Sequence, residues 1–132
     1  MHGDITKANI LFCNGEAKIS DFGLARTIGA KNDEVYMKAF QPYRAPERKT
    51  ADADVKADIY SLGTLLFEML QPFTTDSHRG VVLTALRDTK IFPKGWTDNP
   101  VRTWVLGMIN NAPSERPSAS DLLHHKNCVG RV

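Results

Sequence analysis

An apolar pattern over residues 54–70 predicts one long buried helix, and the rest of the chain must pack around it. Apolar residues recur there at steps of three and four: Ile59, Leu62, Leu66, Met69 and Leu70. The second half of the run is apolar nearly all round, which indicates a helix inside the core. Gln71-Pro72 ends it, because proline disfavours the helical conformation in the residue before it. A chain of 132 residues can bury such a helix in one domain.

Before this helix, the sequence predicts a short β-hairpin and then a long loop. Residues 10–12 form an apolar run, and residues 17–20 read as the return strand. Asn14-Gly15 between them is a tight-turn dipeptide, because both residues tolerate positive φ. Residues 24–44 mix charges, glycine and proline without a clean period, which is typical of a loop.

After the long helix, three shorter helices are predicted. The first covers 76–87, with Asp76 or Ser77 as its N-cap. The second covers 100–110, with Pro100 in its first turn. The third covers 118–125, where Ser118 is the cap and the acidic residue three positions on completes a capping pattern.

Composition excludes several kinds of partner. Lys plus Arg total 17 and Asp plus Glu total 15, so the net charge is only +2. That charge balance argues against direct nucleic-acid or membrane binding. The longest apolar run, 62–70, is too short to span a membrane and contains Glu68. The N-terminus lacks the apolar stretch of a signal peptide. Cys13 and Cys128 have no metal-type spacing and are interpreted as reduced thiols of a cytosolic or nuclear protein. Of these two locations, we expect the cytoplasm.

Three motifs follow one another in a fixed order. His2-Gly3-Asp4 is followed by Asn9, then by Asp21-Phe22-Gly23, and finally by Ala45-Pro46-Glu47. Each alone is more often a turn or a cap. In this order, with a hairpin between the first two, they resemble the signature of the eukaryotic protein kinases.

The resemblance extends over essentially all 132 residues and is to the C-terminal lobe of that family. It implies an α+β, mostly helical, protein-kinase-like fold with one β-hairpin and about four helices, and with the N-terminal lobe absent. Residues 1–126 would be a partial kinase domain that runs from the catalytic loop to the last helix. Residues 127–132 would be a tail.

The resemblance also implies the site and its cofactors, ATP and Mg²⁺. Asp4 matches the base that accepts the proton of the substrate hydroxyl. Asn9 and Asp21 match the magnesium ligands, and hard cations prefer such oxygen donors. Leu11 would lie under the adenine ring. Thr6 and Lys7 occupy the neighbourhood of a lysine that assists catalysis in Ser/Thr kinases.

Other matched residues are implied to be scaffold. Asp58 would accept hydrogen bonds from the backbone of the catalytic loop, since a charge that faces the core needs such partners. Glu47 and Arg116 would form a buried ion pair. His2 and Phe22 would join the hydrophobic spine of the family.

The segment after the long helix resembles one kinase group in particular. Gln71-Pro72-Phe73, Arg79, Leu86-Arg87 and Phe92-Pro93 are similar to the kinases of the alpha subunit of translation initiation factor two. That similarity implies a protein substrate, with this factor as the first candidate. It also suggests that Arg79 and Arg87 help to dock it, although exposed arginines usually only solvate a helix face. The oligomeric state stays open.

The chain departs from the family pattern at several places. Gly3 replaces an arginine that pairs with a phosphorylated activation loop, and residues 28–49 contain no Ser or Thr. Activity is therefore expected not to depend on Ser/Thr phosphorylation within 28–49. Thr6 stands at the position of the catalytic lysine, with Lys7 one step further on. Ala39-Phe40 replaces the Gly-Thr pair that contacts this lysine, which puts the transfer rate and the hydroxyl specificity in doubt.

Three hypotheses follow. The first is a fragment of a Ser/Thr protein kinase that is inactive alone, because a site made by one lobe is open to water. The second is a non-catalytic kinase-like module that docks substrates or regulates kinases. The third is a helical domain with chance motifs, which the number of matched segments argues against.

Overall fold

The chain is described by a computed structural model, which covers residues 1–21, 42–49 and 55–125. Within these ranges it has one antiparallel hairpin and four α-helices, as the sequence predicted. The strands are β1 (Ile10–Cys13) and β2 (Glu16–Ile19). The helices are α1 (Lys56–Leu70), α2 (Asp76–Thr89), α3 (Val101–Met108) and α4 (Ala119–His124). Short 3₁₀ turns lie at Lys7–Asn9, Pro46–Lys49 and Pro113–Glu115.

The hairpin turns where the sequence predicted. Asn14 has φ of 52° and Gly15 has φ of 80°, so both central residues lie in the left-handed region of a type I′ turn. Cys13 pairs with Glu16 across it, and β2 therefore begins one residue before the predicted strand. Leu11 and Phe12 are exposed, which leaves an apolar surface on the hairpin.

Helix α1 lies at the centre of the described structure. Its residues Tyr60 and Phe67 are buried in a core with Leu83 and Leu86 of α2 and Val105 of α3. Phe67 stacks on Trp96 with ring centroids 4.9 Å apart. The main core is therefore shared between α1, the two helices that follow it and the loop between them.

The expectation that the second half of α1 is buried all round was wrong for its last turn. Met69 is 69% exposed and Leu70 is 48% exposed. Phe67 points into the core, and Met69 lies about 200° further round the helix because each residue advances about 100°. Gln71 is extended before Pro72, as the sequence predicted.

The helix ends use caps that the sequence indicated only in part. The N-cap of α2 is Thr75, whose hydroxyl accepts a hydrogen bond from the amide of His78 at 3.0 Å, and not the predicted Asp76 or Ser77. Thr75 has extended backbone angles, which aim its oxygen at the first turn. At α4 the predicted pair Ser118 and Asp121 forms a full capping box. None of the helices within the described ranges is long and apolar enough to cross a membrane.

The packing of α1 on α3 depends on Gly63. A Cβ atom there would lie 2.6 Å from Met108 Cβ and 3.0 Å from Ile109 Cγ2. We expect Gly63→Ala to lower the free energy of unfolding by about 1–3 kcal/mol, because the added methyl forces two helices apart. Urea unfolding followed by circular dichroism measures this.

Gly80→Ala is the matched control. Gly80 lies inside α2, and apart from its chain neighbours and its own helix backbone no atom lies within 4 Å of the added methyl, so alanine should stabilise that helix by about 0.5–1 kcal/mol. Equal effects of the two substitutions would contradict the close approach of α1 and α3.

Candidate active site

Asp58, in the first turn of α1, holds the segment that contains Asp4. Its Oδ2 accepts the backbone amide of His2 at 2.7 Å, and its Oδ1 accepts that of Gly3 at 2.9 Å. Both carboxylate oxygens thus receive the predicted backbone hydrogen bonds, which offset the cost of placing a charge at the core. Gly3 has φ of 87°, a conformation that suits glycine. Residues 2–9 are called the catalytic segment below.

His2 ties the catalytic segment to the end of the hairpin. It is buried, and its Nδ1 accepts the backbone amide of Asp4 at 3.1 Å. Its Nε2 lies 2.9 Å from the carbonyl oxygen of Ser20, so the tautomer with hydrogen on Nε2 satisfies both contacts. His2 therefore fixes the backbone of Asp4 relative to the residue before Asp21.

Asn9 orients Asp4. Its Nδ2 donates to the carbonyl oxygen of Asp4 at 2.8 Å and to the carboxylate Oδ2 of Asp4 at 3.1 Å. Because the amide nitrogen is engaged in this way, the position of Oδ1 is defined as well. That oxygen accepts no hydrogen bond from the described part of the chain, so it is available as a ligand.

The hairpin places Asp21 next to Asn9. The amide of Ser20 donates to the carbonyl oxygen of Asn9 at 2.8 Å, and Ile10 pairs with Ile19 just beyond. Asp21 itself is exposed and has φ of 58°. Phe22 and Gly23, which complete the predicted motif, lie outside the described residues.

These oxygen donors fit a magnesium ion. Mg²⁺ binds through one or two carboxylates together with substrate phosphates and water, and not in a cage made by protein alone. Across residues 1–21, 42–49 and 55–125, no group of three or more His, Cys, Asp or Glu side chains could hold a metal. An amide oxygen from Asn9 and a carboxylate from Asp21 match the sparse kind of site that Mg²⁺ uses.

Asp4 lies in a cleft between the catalytic segment and the residues before Pro46. The cleft is lined by Asp4, Thr6, Tyr43, Arg44 and Ser61, among others. Burial lowers the pKa of Arg44, and the positive charge of Arg87 lowers it further, whereas the negative charge of Asp4 opposes both. A cation therefore faces the predicted base across the cleft.

The predicted pair of Glu47 and Arg116 is present, with Arg116 buried and Glu47 partly buried. The side chain of Arg116 is 0% exposed and forms a two-pronged contact with Glu47, at 2.5 Å from Nη1 and 2.8 Å from Nη2. Its remaining donors reach the carbonyl oxygens of Asn110 and Lys56, both at 2.8 Å. The pair joins the end of the loop before α1 to the segment before α4.

Sequence reasoning missed a polar cluster around Glu68. This side chain is only 7% exposed, and its carboxylate accepts hydrogen bonds from the Tyr43 hydroxyl and from Arg79 Nε. Lys7 Nζ lies 3.4 Å from the same carboxylate. The available signal was an acidic residue inside the most apolar run of the chain, which requires cationic partners.

This cluster changes the expectations for two residues. The ammonium group of Lys7 lies on Glu68, a surface contact that draws it to the last turns of α1. Arg79 was expected either to dock the substrate or only to solvate a helix face. Its side chain is 23% exposed and donates hydrogen bonds to both Glu68 and Tyr43. The buried carboxylate accounts for both placements, since it attracts the nearest cations.

The cluster shifts the pKa of both acidic partners. Burial alone would raise the pKa of Glu68, but hydrogen bonds from Arg79 and Tyr43, with the charges of Arg79 and Lys7, outweigh it and lower the pKa. Burial, together with the hydrogen bond and the charge of Glu68, raises the pKa of Tyr43 to about 12, although Arg79 opposes the shift. Tyr43 therefore stays a neutral donor, and Glu68 stays a charged acceptor.

We expect Glu47→Gln to lower the free energy of unfolding by about 3–5 kcal/mol, because it leaves a fully buried guanidinium without its counter-charge. Urea unfolding measures the change. Glu16→Gln is the control, since Glu16 pairs with Lys18 on the exposed hairpin at 3.8 Å and should contribute less than about 1 kcal/mol. A loss at Glu47 no larger than the loss at Glu16 would contradict a buried pair.

Stability should fall between pH 10 and pH 12 because of Tyr43. Its pKa is higher in the folded state than in the unfolded chain, so its contribution is complete below pH 10 and is lost as the pH rises through the folded value of about 12. The loss amounts to roughly 2–3 kcal/mol. Unfolding of wild type and Tyr43→Phe across this range measures it, and parallel pH profiles for the two proteins would refute the assignment.

Comparisons with known proteins agree with this geometry. The protein kinase domain family matches residues 1–127. The eIF-2-alpha kinase GCN2 of Arabidopsis thaliana is 34% identical over 95% of this chain and 12% of its own length. Eukaryotic translation initiation factor 2-alpha kinase 3 of Bos taurus is 30% identical over 95% of this chain and 13% of its own length. A probable serine/threonine-protein kinase of Dictyostelium discoideum is 36% identical, again over 95% of this chain and 11% of its own.

The chain thus spans about an eighth of the length of these relatives. The matched family covers nearly all of the chain, and the order of the motifs, the Asp58 anchor and the buried ion pair are all accounted for by one fold. The chain belongs to the protein kinase family.

Proposed function

We propose that this chain forms the catalytic and substrate-binding part of a Ser/Thr protein kinase, which transfers the γ-phosphoryl group of ATP to a protein hydroxyl. The observation that carries the proposal is the pairing of Asp4 with Asn9. Through its Nδ2, Asn9 orients the proposed base Asp4. Its Oδ1 stays available as a ligand for the metal ion that Asp21 would also bind. Phosphoryl transfer needs this combination, because catalysis depends on positioning and on neutralising charge.

Asp4 acts as the base for the acceptor hydroxyl. Its backbone is held from two sides, by His2 at its amide and by Asn9 at its carbonyl oxygen. Asn9 also binds one carboxylate oxygen, so the other is the natural acceptor of the substrate proton. A base fixed in this way loses little entropy when the substrate arrives, which favours reaction.

Asn9 and Asp21 would hold magnesium, and Leu11 would contact the adenine. When bound, Mg²⁺ supplies positive charge to the phosphate oxygens of ATP. The chain's own contribution is the hydrogen bond from the amide of Ser20 to the carbonyl oxygen of Asn9, which holds the residue before Asp21 against Asn9. Leu11 is 53% exposed on the hairpin, so its side chain is accessible to an apolar ring.

The substrate we propose is the alpha subunit of translation initiation factor two. Two of the relatives carry that substrate in their names, and the similarity runs through α2. A translation factor as substrate would place the protein in the cytoplasm. Arg87, on the last turn of α2, remains a candidate for docking this substrate.

A second candidate is a non-catalytic docking or regulatory module. The observation that favours it is the position of Lys7, whose ammonium lies on Glu68 while Thr6 occupies the place of the catalytic lysine. Such a protein would keep the fold and the hydrogen bonds of Asp58 but would lack rapid phosphoryl transfer.

Fusion of this chain to the ATP-binding lobe of the Arabidopsis relative tests the proposal. We expect the 132-residue chain alone to show negligible transfer, because its site is open to water. The fusion should phosphorylate the alpha subunit in a magnesium-dependent way. Asp4→Asn should slow it by about 10²–10⁴-fold, as expected for loss of a general base. Radiolabel transfer from γ-labelled ATP measures each rate.

Glu16→Gln in the same fusion is the control and should keep full activity. Asp21→Ala should remove most of the transfer and raise the magnesium concentration that the remaining transfer requires. If the fusion binds ATP and the substrate but transfers nothing, while the Arabidopsis segment in the same frame is active, the docking module is the better reading and the catalytic proposal fails.

A further inference from the structure

The carboxylate of Glu68, on α1, is the meeting point of α1 and three other segments. Arg79 from α2 and the Tyr43 hydroxyl donate to it, and Lys7 from the catalytic segment lies 3.4 Å away. Arg79 Nη2 also donates to the Tyr43 hydroxyl at 3.2 Å. The three inner groups therefore form a closed triangle, with Lys7 outside it and 64% exposed.

Tyr43 is fixed at both of its ends. Its ring carries the hydroxyl bound by Glu68 and Arg79, while its backbone carbonyl oxygen accepts the hydroxyl of Ser61 at 2.6 Å. The ring is buried and packs with Ile5 and Leu65. A residue held by a side chain, by its backbone and by apolar packing has little freedom to move.

Tyr43 and Arg44 form the wall of the cleft that faces Asp4. Under the proposed function, the acceptor hydroxyl of a substrate would lie close to this wall when it reaches Asp4. Because Arg79 of α2 donates to the Tyr43 hydroxyl, a shift of α2 at Arg79 would also move the Tyr43 side of this wall.

We propose that Glu68 and Arg79 are positioning residues, which fix Tyr43 and thereby set the wall of the cleft opposite Asp4. Arg79 couples helix α2 to the place where the acceptor hydroxyl binds, and its role is internal to the protein. This inference rests on the proposed function for its catalytic consequence, but the Glu68–Tyr43–Arg79 contacts can be tested without it.

The charges explain why Arg79 is needed in this role. A carboxylate that is 7% exposed requires compensation, and the outer cation Lys7 is too exposed and too distant to supply it alone. Arg79 provides a charge and two directed donors, to Glu68 and to Tyr43. Lysine at position 79 would keep the charge but could not reproduce both contacts.

The first test uses the full chain and follows the Tyr43 phenol by NMR with ¹³Cζ-labelled tyrosine, assigned by Tyr43→Phe. In wild type it should titrate near pH 12, and in Glu68→Gln its midpoint should fall towards the ordinary tyrosine value. Amide exchange at residues 43–45 should be faster in Glu68→Gln and Arg79→Met. Arg79→Lys should restore part of this protection. Glu16→Gln should change neither readout.

The second test measures kcat/KM for the alpha subunit in the two-lobed fusion. Displacement of Tyr43 in Glu68→Gln and Arg79→Met should lower kcat/KM by up to about 10²-fold. Arg79→Lys should recover part of the loss, whereas Glu16→Gln should lose nothing.

An unchanged Tyr43 titration in Glu68→Gln would overturn the proposal. A shifted titration with unchanged kcat/KM would overturn the positioning role. A shifted titration in a fusion that is inactive with the wild-type segment would support the Glu68–Tyr43–Arg79 contacts and overturn the proposed function instead.

Discussion

The described structure depends on one partly buried carboxylate at the start of α1. Asp58 accepts two backbone amides of the catalytic segment, and this contact holds Asp4 against a helix that is itself packed in the core. A charge in that position is stabilised only when its hydrogen bonds are made, so folding of the helix and placement of the catalytic segment are linked. An apolar contact would not have fixed the backbone with the same directionality.

Other residues on the same face of α1 as Asp58 also contact the candidate site. Residues 58, 61, 65 and 68 follow one another at steps of three and four, so they share one face of the helix. They contact, in order, the catalytic segment, the carbonyl oxygen of Tyr43, the small core with Ile5, and the Tyr43 hydroxyl. Tyr60, Gly63 and Phe67, in contrast, pack on α2, α3 and Trp96. One face of α1 therefore contacts the candidate site, and the other face packs in the main core.

The sequence predicted much of this, and the reasons differ from residue to residue. The hairpin, α1 and the capping box of α4 follow from local rules, such as positive φ at Asn14-Gly15 or an acidic residue three positions after Ser118. The Asp58 contact and the Glu47–Arg116 pair came from family resemblance, since more than fifty residues separate the partners in each case. The Glu68 cluster was missed because burial of a single acid depends on which cations the fold brings near, and no local pattern contains that information. Met69 was misjudged for a related reason: periodicity gives the apolar face of a helix but not how far its neighbours cover it.

Two departures from the family pattern, Gly3 and Thr6, fall where the structure uses backbone atoms, whereas Ala39-Phe40 lies outside the described residues. Gly3 contributes its amide to Asp58, and Thr6 contributes its carbonyl oxygen to the amide of Asn9 at 3.1 Å. A backbone contact survives a change of side chain, whereas Asp58, Asn9 and Arg116 act through side-chain atoms and match the family. The fold can therefore hold Asp4 in place while the residues around it differ. Such differences would change the side chains that surround Asp4 and leave the position of Asp4 itself unchanged.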